Sequence, residues 1–239
     1  MTGRGLVQLE VLTNAGAVAR AAADRIAVAA REAISARGCF IVAVSGGHTP
    51  WQMLRDLAGE DLPWRDIHFV QVDERVAPAG DSDRNLAYLR ESLRGQSLLP
   101  AANIHPMAVE AQDLGKACAD YAALLQRLSG RPPELDLVHL GLGPDGHTAS
   151  LVPGDPVLDV VDRDVSSTGI YQGRSRMTLT YPILNRARQI LWVVTGSEKQ
   201  SALQRLRNGD QSIPGGRVNA AHALILADSE AAEPTRSAL

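Results

Sequence analysis

Residues 135–140, LDLVHL, are an apolar run that breaks at once into Gly141, Gly143, Pro144 and Gly146. A run this short, stopped by glycines and a proline at a density no helix or strand interior accepts, reads as a buried strand delivering a turn. The turn carries Asp145 and His147. Open α/β sheets bind ligands at the carboxyl ends of their strands, where such loops gather. A surface turn with a helix-capping Asp is the plainer alternative.

The same shape recurs along the chain. Apolar runs at 6–12, 39–44, 67–72, 176–180, 189–194 and 222–227 read as strands. Helical patterns lie between them: one capped by Asn14 and running to Arg37, then 51–57, one from Ser82, 111–128 and 197–207. Alternating strands and helices predict a mostly parallel open sheet with helices on both faces, a Rossmann-like single α/β domain over residues 1–239. Residues 153–173 are poorly periodic and read as an excursion or a flap.

Composition narrows the function. Hydrophobic residues are 45% of the 239, enough for a sizeable core. The net charge of -3, with no basic run, predicts no nucleic-acid partner. No apolar run reaches spanning length, so no membrane is expected. Residues 1–12 lack the apolar core and cleavage site of a signal peptide. Cys39 and Cys118 stand far apart without metal-ligand spacing and read as reduced thiols of a cytoplasmic protein. The six histidines show no H-E-x-x-H or H-x-x-x-H spacing, so no metal is expected. A serine nucleophile elbow, G-x-S-x-G, is absent too.

Four strand ends carry polar groups. In SGGHTP, Gly46 and Gly47 let backbone N–H groups approach a ligand, Ser45 and Thr49 add hydroxyls, and the following helix offers its positive end. The spacing is neither G-x-x-x-x-G-K-S/T nor G-x-G-x-x-G, so a small phosphate ester fits better than a nucleotide. An ordinary tight turn accounts for the two glycines equally well. In TGSEKQ, Lys199 opens a helix; the chain uses 22 Arg but only two Lys, so a lysine here asks for a reason. A lysine binds phosphate as a point charge. In DER, alternation puts Asp73 and Arg75 on one side and Glu74 on the other. Arg75 is placed to hold phosphate or to stabilise an oxyanion. Asp145 and His147 form the best acid–base pair, the imidazole taking a proton from water and the carboxylate orienting it or stabilising its cation. The remaining histidines, His48 among them, read mostly as structural.

SGGHTP, VDERVAP followed by SDRNLAYLRESL, GLGPDGHTASLVPG and RMTLTYPILNRARQILWVVTGSEKQ resemble, in that order over about 42–226, the 6-phosphogluconolactonases of the pentose phosphate pathway. The resemblance implies hydrolysis of 6-phospho-D-glucono-1,5-lactone to 6-phosphogluconate without metal or organic cofactor; a monomer or small homo-oligomer is expected. It implies His147 as general base, Asp145 as its neighbour, and Arg75 as partner of phosphate or oxyanion. Ser45, Gly46, Gly47, Thr49 and Lys199 would form the phosphate pocket. Arg176 matches the basic residue opening the family's R-x-T-L-T strand, near the phosphate. One departure is His48, where the family usually has Ser or Asn.

Two other functions stay open at this stage. The related glucosamine-6-phosphate deaminase/isomerases typically carry Tyr where Arg75 stands and an Asn-Glu-Pro run after the DGH. This chain has Thr148 and then Ser150-Leu151-Val152-Pro153, without that Glu. A non-catalytic sugar-phosphate sensor is the third reading, and no effector domain is evident for it.

Overall fold

The computed structural model describes residues 7–233. Leu6, the first residue of the expected opening strand, lies outside them. Strand β1 is Gln8–Leu12. Helix α1, Ala15–Arg37, starts where Asn14 accepts from the Ala17 N–H at 2.9 Å and stops at Gly38, whose φ of 81° suits a left-handed cap. β2 is Phe40–Val44, and α2, His48–Ala58, begins earlier than expected, with Pro50 inside its first turn. β3 is Ile67–Gln71 and β4 is Asp73–Arg75.

Helix α3, Asn85–Ser92, starts later than Ser82 because residues 81–84 are spent in a turn. β5 is only Ile104–His105, too short to show in the pattern. Helix α4, Leu114–Ser129, starts after its cap Asp113, which accepts from the Lys116 N–H; the expected residues 111–113 precede it. β6 is Leu137–Leu140. β7, Val165–Ser167, lies inside the aperiodic segment. β8 is Arg176–Leu179, α5 is Tyr181–Leu184, β9 is Ile190–Val194 and α6 is Gln200–Arg207. The expected helix 197–207 is split, Ser197–Lys199 being a tighter 3-10 turn. β10 is Ala223–Asp228, and α7, Ser229–Ala232, closes the described chain.

Seven strands form one sheet in the order β1-β10-β9-β6-β2-β3-β5, every neighbouring pair parallel. Side chains alternate between its faces. Ile41 and Ala43 of β2 pack in one core with α4, α5 and α6; Phe40, Val42 and Val44 pack in the other with α1 and α2. The side of α1 that meets the sheet and α2 is mostly alanine, which lets the backbones approach closely. Both faces are therefore covered, as an all-parallel sheet requires.

One expectation needs correction. Residues 176–180 and the DER tripeptide do not extend the main sheet; β4, β8 and β7 form a second, antiparallel sheet of three strands. Val72 joins the two sheets. Its N–H donates to the Val44 carbonyl at 3.0 Å, and its own carbonyl accepts from Leu179 at 2.8 Å. β8 is buried along its whole length, so its pattern imitates a parallel central strand. Only the partner, supplied by the turn of the chain at Val72, distinguishes them.

Candidate active site

Strand order places the crevice. From β2 the chain moves to β3 and β5 on one side; from β6 it continues to β9 and β10 on the other. Loops leaving β2 and β6 thus diverge, and ligands bind outside the carboxyl ends of strands at such a switch point. A cavity of about 330 Å³ lies there, walled by the loops after β2, β6 and β9 and by β4 and β8. Its size suits a small ligand. Ser45, Gly46, Gly47, Thr49, Arg75, His147, Arg176 and Lys199 all line it, with His48, Asp73 and Glu198. Asp145 reaches it through His147. A second cavity of about 430 Å³ shares Gly47, His48, Arg75 and Arg176 with the first.

The loop after β2 is built on its glycines. Gly47 sits at φ 138°, outside the range of other residues, and a Cβ on Gly46 would lie 2.0 Å from Asn85 Oδ1. Gly47 caps α2 with no side-chain hydrogen bond, so the helix presents its first-turn N–H groups uncapped beside the cavity. Thr49 Oγ1 lies 2.9 Å from Thr195 Oγ1, tying this loop to the one after β9.

Ser45 departs from the role of donor. Its N–H donates to His139 Nδ1 at 3.2 Å and its hydroxyl to the His139 carbonyl at 3.1 Å. Both donors are taken up inside the protein, leaving the hydroxyl oxygen as an acceptor. His139 is fully buried, and burial pushes its pKa down to about 3. A neutral ring accepting at Nδ1 carries its proton on Nε2, which has no partner among the described residues.

Cations gather around the cavity. Lys199 stands on the 3-10 turn behind Gly196, at φ 97°, with the Glu198 carboxylate 3.6 Å away. Arg75 and Arg176 are register partners across β4 and β8. Arg75 donates to Asn85 Oδ1 and, at 3.3 Å, to the Asp83 carbonyl. Arg176 is 5% exposed and donates to Gln172 Oε1 at 3.2 Å, while its Nε has no partner among the described residues. Burial pulls the Arg176 pKa below its ordinary value, and the Asp73 carboxylate pulls the other way.

The carboxylates of β4 do different work. Asp73, on the cavity side, accepts from Ser150 Oγ at 2.6 Å. Glu74 is fully buried and receives the N–H groups of Arg75, Asn85 and Leu86, the Gln71 amide, and Arg84 at 3.3 Å. It holds the N-terminus of α3 against β4, and thereby sets Asn85 against Arg75.

In the loop after β6, Asp145 Oδ1 accepts from both the His147 N–H, at 3.0 Å, and His147 Nδ1, at 2.6 Å. Burial alone would raise the Asp145 pKa; the His147 backbone N–H and the imidazole outweigh it and hold the carboxyl below its ordinary value. An ionised Asp145 fixes the proton on Nδ1 and leaves Nε2 as the basic nitrogen. Gly143 makes the arrangement possible, since a Cβ there would lie 2.0 Å from Nδ1. Gly146, at φ 82°, turns the chain between the two residues. Tyr171, from the turn between β7 and β8, packs its ring against the imidazole at 5.5 Å.

Asn85 and Tyr171 are site residues that pattern reading passed over, and Asp73 was placed beside Arg75 but given no role. Asn85 sits inside a motif already singled out, SDRN, and that was its signal. Tyr171 lies in the aperiodic segment and had none. Among the described residues no three His, Cys, Asp or Glu side chains gather as a metal site would need, and no helix is long and apolar enough to cross a membrane.

Residues 13–226 match the family described as glucosamine-6-phosphate isomerases/6-phosphogluconolactonase. A 6-phosphogluconolactonase of Synechocystis sp. is 39% identical over 200 residues, covering 82% of this chain and 83% of its own. One from Mycobacterium tuberculosis is 31% identical over 238 residues, covering 94% and 96%. The crystal structure of a 6-phosphogluconolactonase from Thermotoga maritima superposes with a TM-score of 0.82 at 26% identity, over 92% of this chain and 98% of that one. A monomeric glucosamine-6-phosphate deaminase superposes with the same TM-score, 0.82, at 18% identity over 94% and 98%, a likeness of fold.

Proposed function

The chain belongs to the glucosamine-6-phosphate isomerase/6-phosphogluconolactonase family, and from that premise we propose that it hydrolyses 6-phospho-D-glucono-1,5-lactone to 6-phosphogluconate, in the cytoplasm and as a step of the pentose phosphate pathway. The observation that carries the reading is the Asp145–His147 pair on the wall of a cavity lined also by Arg75, Arg176 and Lys199.

The substrate phosphate docks against the uncapped N-terminus of α2 and Lys199, with Arg176 closing the anion site. His147 Nε2 takes a proton from water as the water oxygen attacks the lactone carbonyl. Asp145 stabilises the imidazolium that results. The tetrahedral oxyanion forms within the field of Arg75. Its collapse breaks the bond from C1 to the ring oxygen, and the imidazolium returns its proton to that oxygen. Lactone and water become the open-chain acid. A positioned base gives about 10²–10⁴-fold, and anchoring the remote phosphate lowers the entropic part of the barrier.

The related deaminase/isomerases typically carry a Glu shortly after the DGH, where it supports ring opening. Residues 148–154 contain none: Thr148 donates to the Gly141 carbonyl at 2.8 Å and Ser150 binds Asp73. The test is a coupled assay. Lactone made from glucose 6-phosphate by its dehydrogenase is supplied fresh, and 6-phosphogluconate is followed through the next dehydrogenase. Acceleration over buffer is expected; none, with ammonia released from glucosamine 6-phosphate, would reverse the assignment.

A further inference from the structure

The Tyr171 ring touches two separate parts of the site. It meets the His147 imidazole edge to face, centroids 5.5 Å apart and planes at 64°. The Arg176 guanidinium lies over the same ring, 5.1 Å from its centroid. Tyr171 stands on a tight turn held by paired backbone bonds to Arg174, of 2.9 and 3.3 Å. The next residue, Gln172, adopts φ 51° and receives Arg176 Nη2 at 3.2 Å. A positive φ at a residue other than glycine is a strained choice that the surroundings must enforce. Here it goes with two consecutive side chains set on one arginine.

We infer that Tyr171 is a positioning residue, a brace that fixes the imidazole of His147 and the guanidinium of Arg176 relative to each other. The inference rests on the lactonase reading above. Asp145 alone cannot fix the base: one hydrogen bond at Nδ1 sets a direction but leaves the ring free to turn about it. The edge contact with Tyr171 supplies the second constraint. Arg176 has the opposite problem, because the Asp73 carboxylate attracts it. Stacking on the ring face and the Gln172 contact keep its fork spread for an anion. Both contacts use the ring; the phenol, whose pKa is raised by burial and by the Asp145 carboxylate beside it, makes neither of them.

The test compares Tyr171→Phe, Tyr171→Leu and Tyr171→Ala in steady-state lactone hydrolysis, with thermal melts to verify folding. Phe should stay within about twofold of wild type in kcat and KM, since the ring is kept. Leu and Ala should lower kcat about ten- to hundredfold, the cost of a misplaced catalytic group, and raise KM in the same variants. A joint shift marks the brace, because loss of the base alone lowers kcat and loss of the anion ligand alone raises KM. Leu fills similar space without a π face and carries the test if Ala fails to fold. A folded Leu or Ala variant with wild-type constants would overturn the inference, and so would a Phe variant as damaged as Ala. If the wild type itself does not hydrolyse lactone, the functional reading fails instead. The affinity of the Leu variant for 6-phosphogluconate then tests the Arg176 arm separately: it should fall, and an unchanged affinity would overturn the brace.

Discussion

Arg75 and Arg176 stand directly across from each other in the β4–β8 ladder, two like charges in register with both side chains on the cavity wall. Such a pair opposes folding. Arg176 adds to the cost by being 5% exposed, with an Nε that lacks a partner among the described residues. Among the described residues Arg75 and Arg176 meet only neutral acceptors, Asn85 Oδ1 and the Asp83 carbonyl for one and Gln172 Oε1 for the other; on the proposed reading a bound phosphate or developing oxyanion would supply their opposite charge.

That argument predicts opposed effects of Arg176→Met. Removing one of two like charges in register relieves their repulsion, so the thermal midpoint should hold or rise. A hydrogen bond to a charged group is worth about 1.5–3 kcal/mol, so KM for the lactone should rise about ten- to hundredfold. Melting curves and steady-state kinetics on one preparation check both. A lower midpoint with unchanged KM would make Arg176 a structural residue.

Gly143→Ala tests whether the Asp145–His147 geometry matters. The added methyl would sit 2.0 Å from His147 Nδ1, so the imidazole must leave its carboxylate. The expected result is a loss in kcat of about 10²-fold, with 6-phosphogluconate affinity within a few-fold of wild type by calorimetry. An unchanged kcat would show that the hydrogen bond is dispensable.

Lys199→Ala should act on binding. On the proposed reading its charge holds the substrate phosphate, and the carboxylate it meets within the protein, Glu198, lies 3.6 Å off. KM should rise and kcat should hold, and Lys199→Arg should recover part of the loss. A fall in kcat at constant KM would move Lys199 from anchoring to chemistry.

His139 gives a pH dependence with a definite sign. Burial lowers its pKa from the ordinary 6.5 to about 3 in the folded protein. The unfolded chain therefore binds the proton first. The stability tied to a neutral His139 is complete above pH 6.5 and is lost as the pH falls from there towards about 3. His139→Asn keeps an acceptor for the Ser45 N–H but does not titrate, so its thermal midpoint should fall less steeply over that range. Parallel curves for the two proteins would assign the acid lability elsewhere.

What the sequence reveals follows from how local each cause is. The parallel sheet was legible because β2, β6 and β9 are short, apolar and each followed within two residues by glycine. The glycine loop before α2 was legible because Gly46 and Gly47 precede a helix with Pro50 in its first turn. The Asp145–His147 pair showed in its glycine-rich setting, although contact between them depends on Gly143, which spacing does not reveal. The second sheet was hidden, because β8 carries the pattern of a buried strand and its partner is chosen by the bend at Val72. Ser45 looked like a donor until the fold brought His139 beneath it. Tyr171 comes from a stretch with no period at all, and only the antiparallel pairing of β7 with β8 carries it to the imidazole.

The most direct test of the account is kcat for fresh lactone in His147→Ala beside its affinity for 6-phosphogluconate. The prediction is a fall of about 10²–10⁴-fold in turnover, the contribution of a positioned base, with product affinity nearly intact. Wild-type turnover in that variant, or binding lost in step with catalysis, would contradict it.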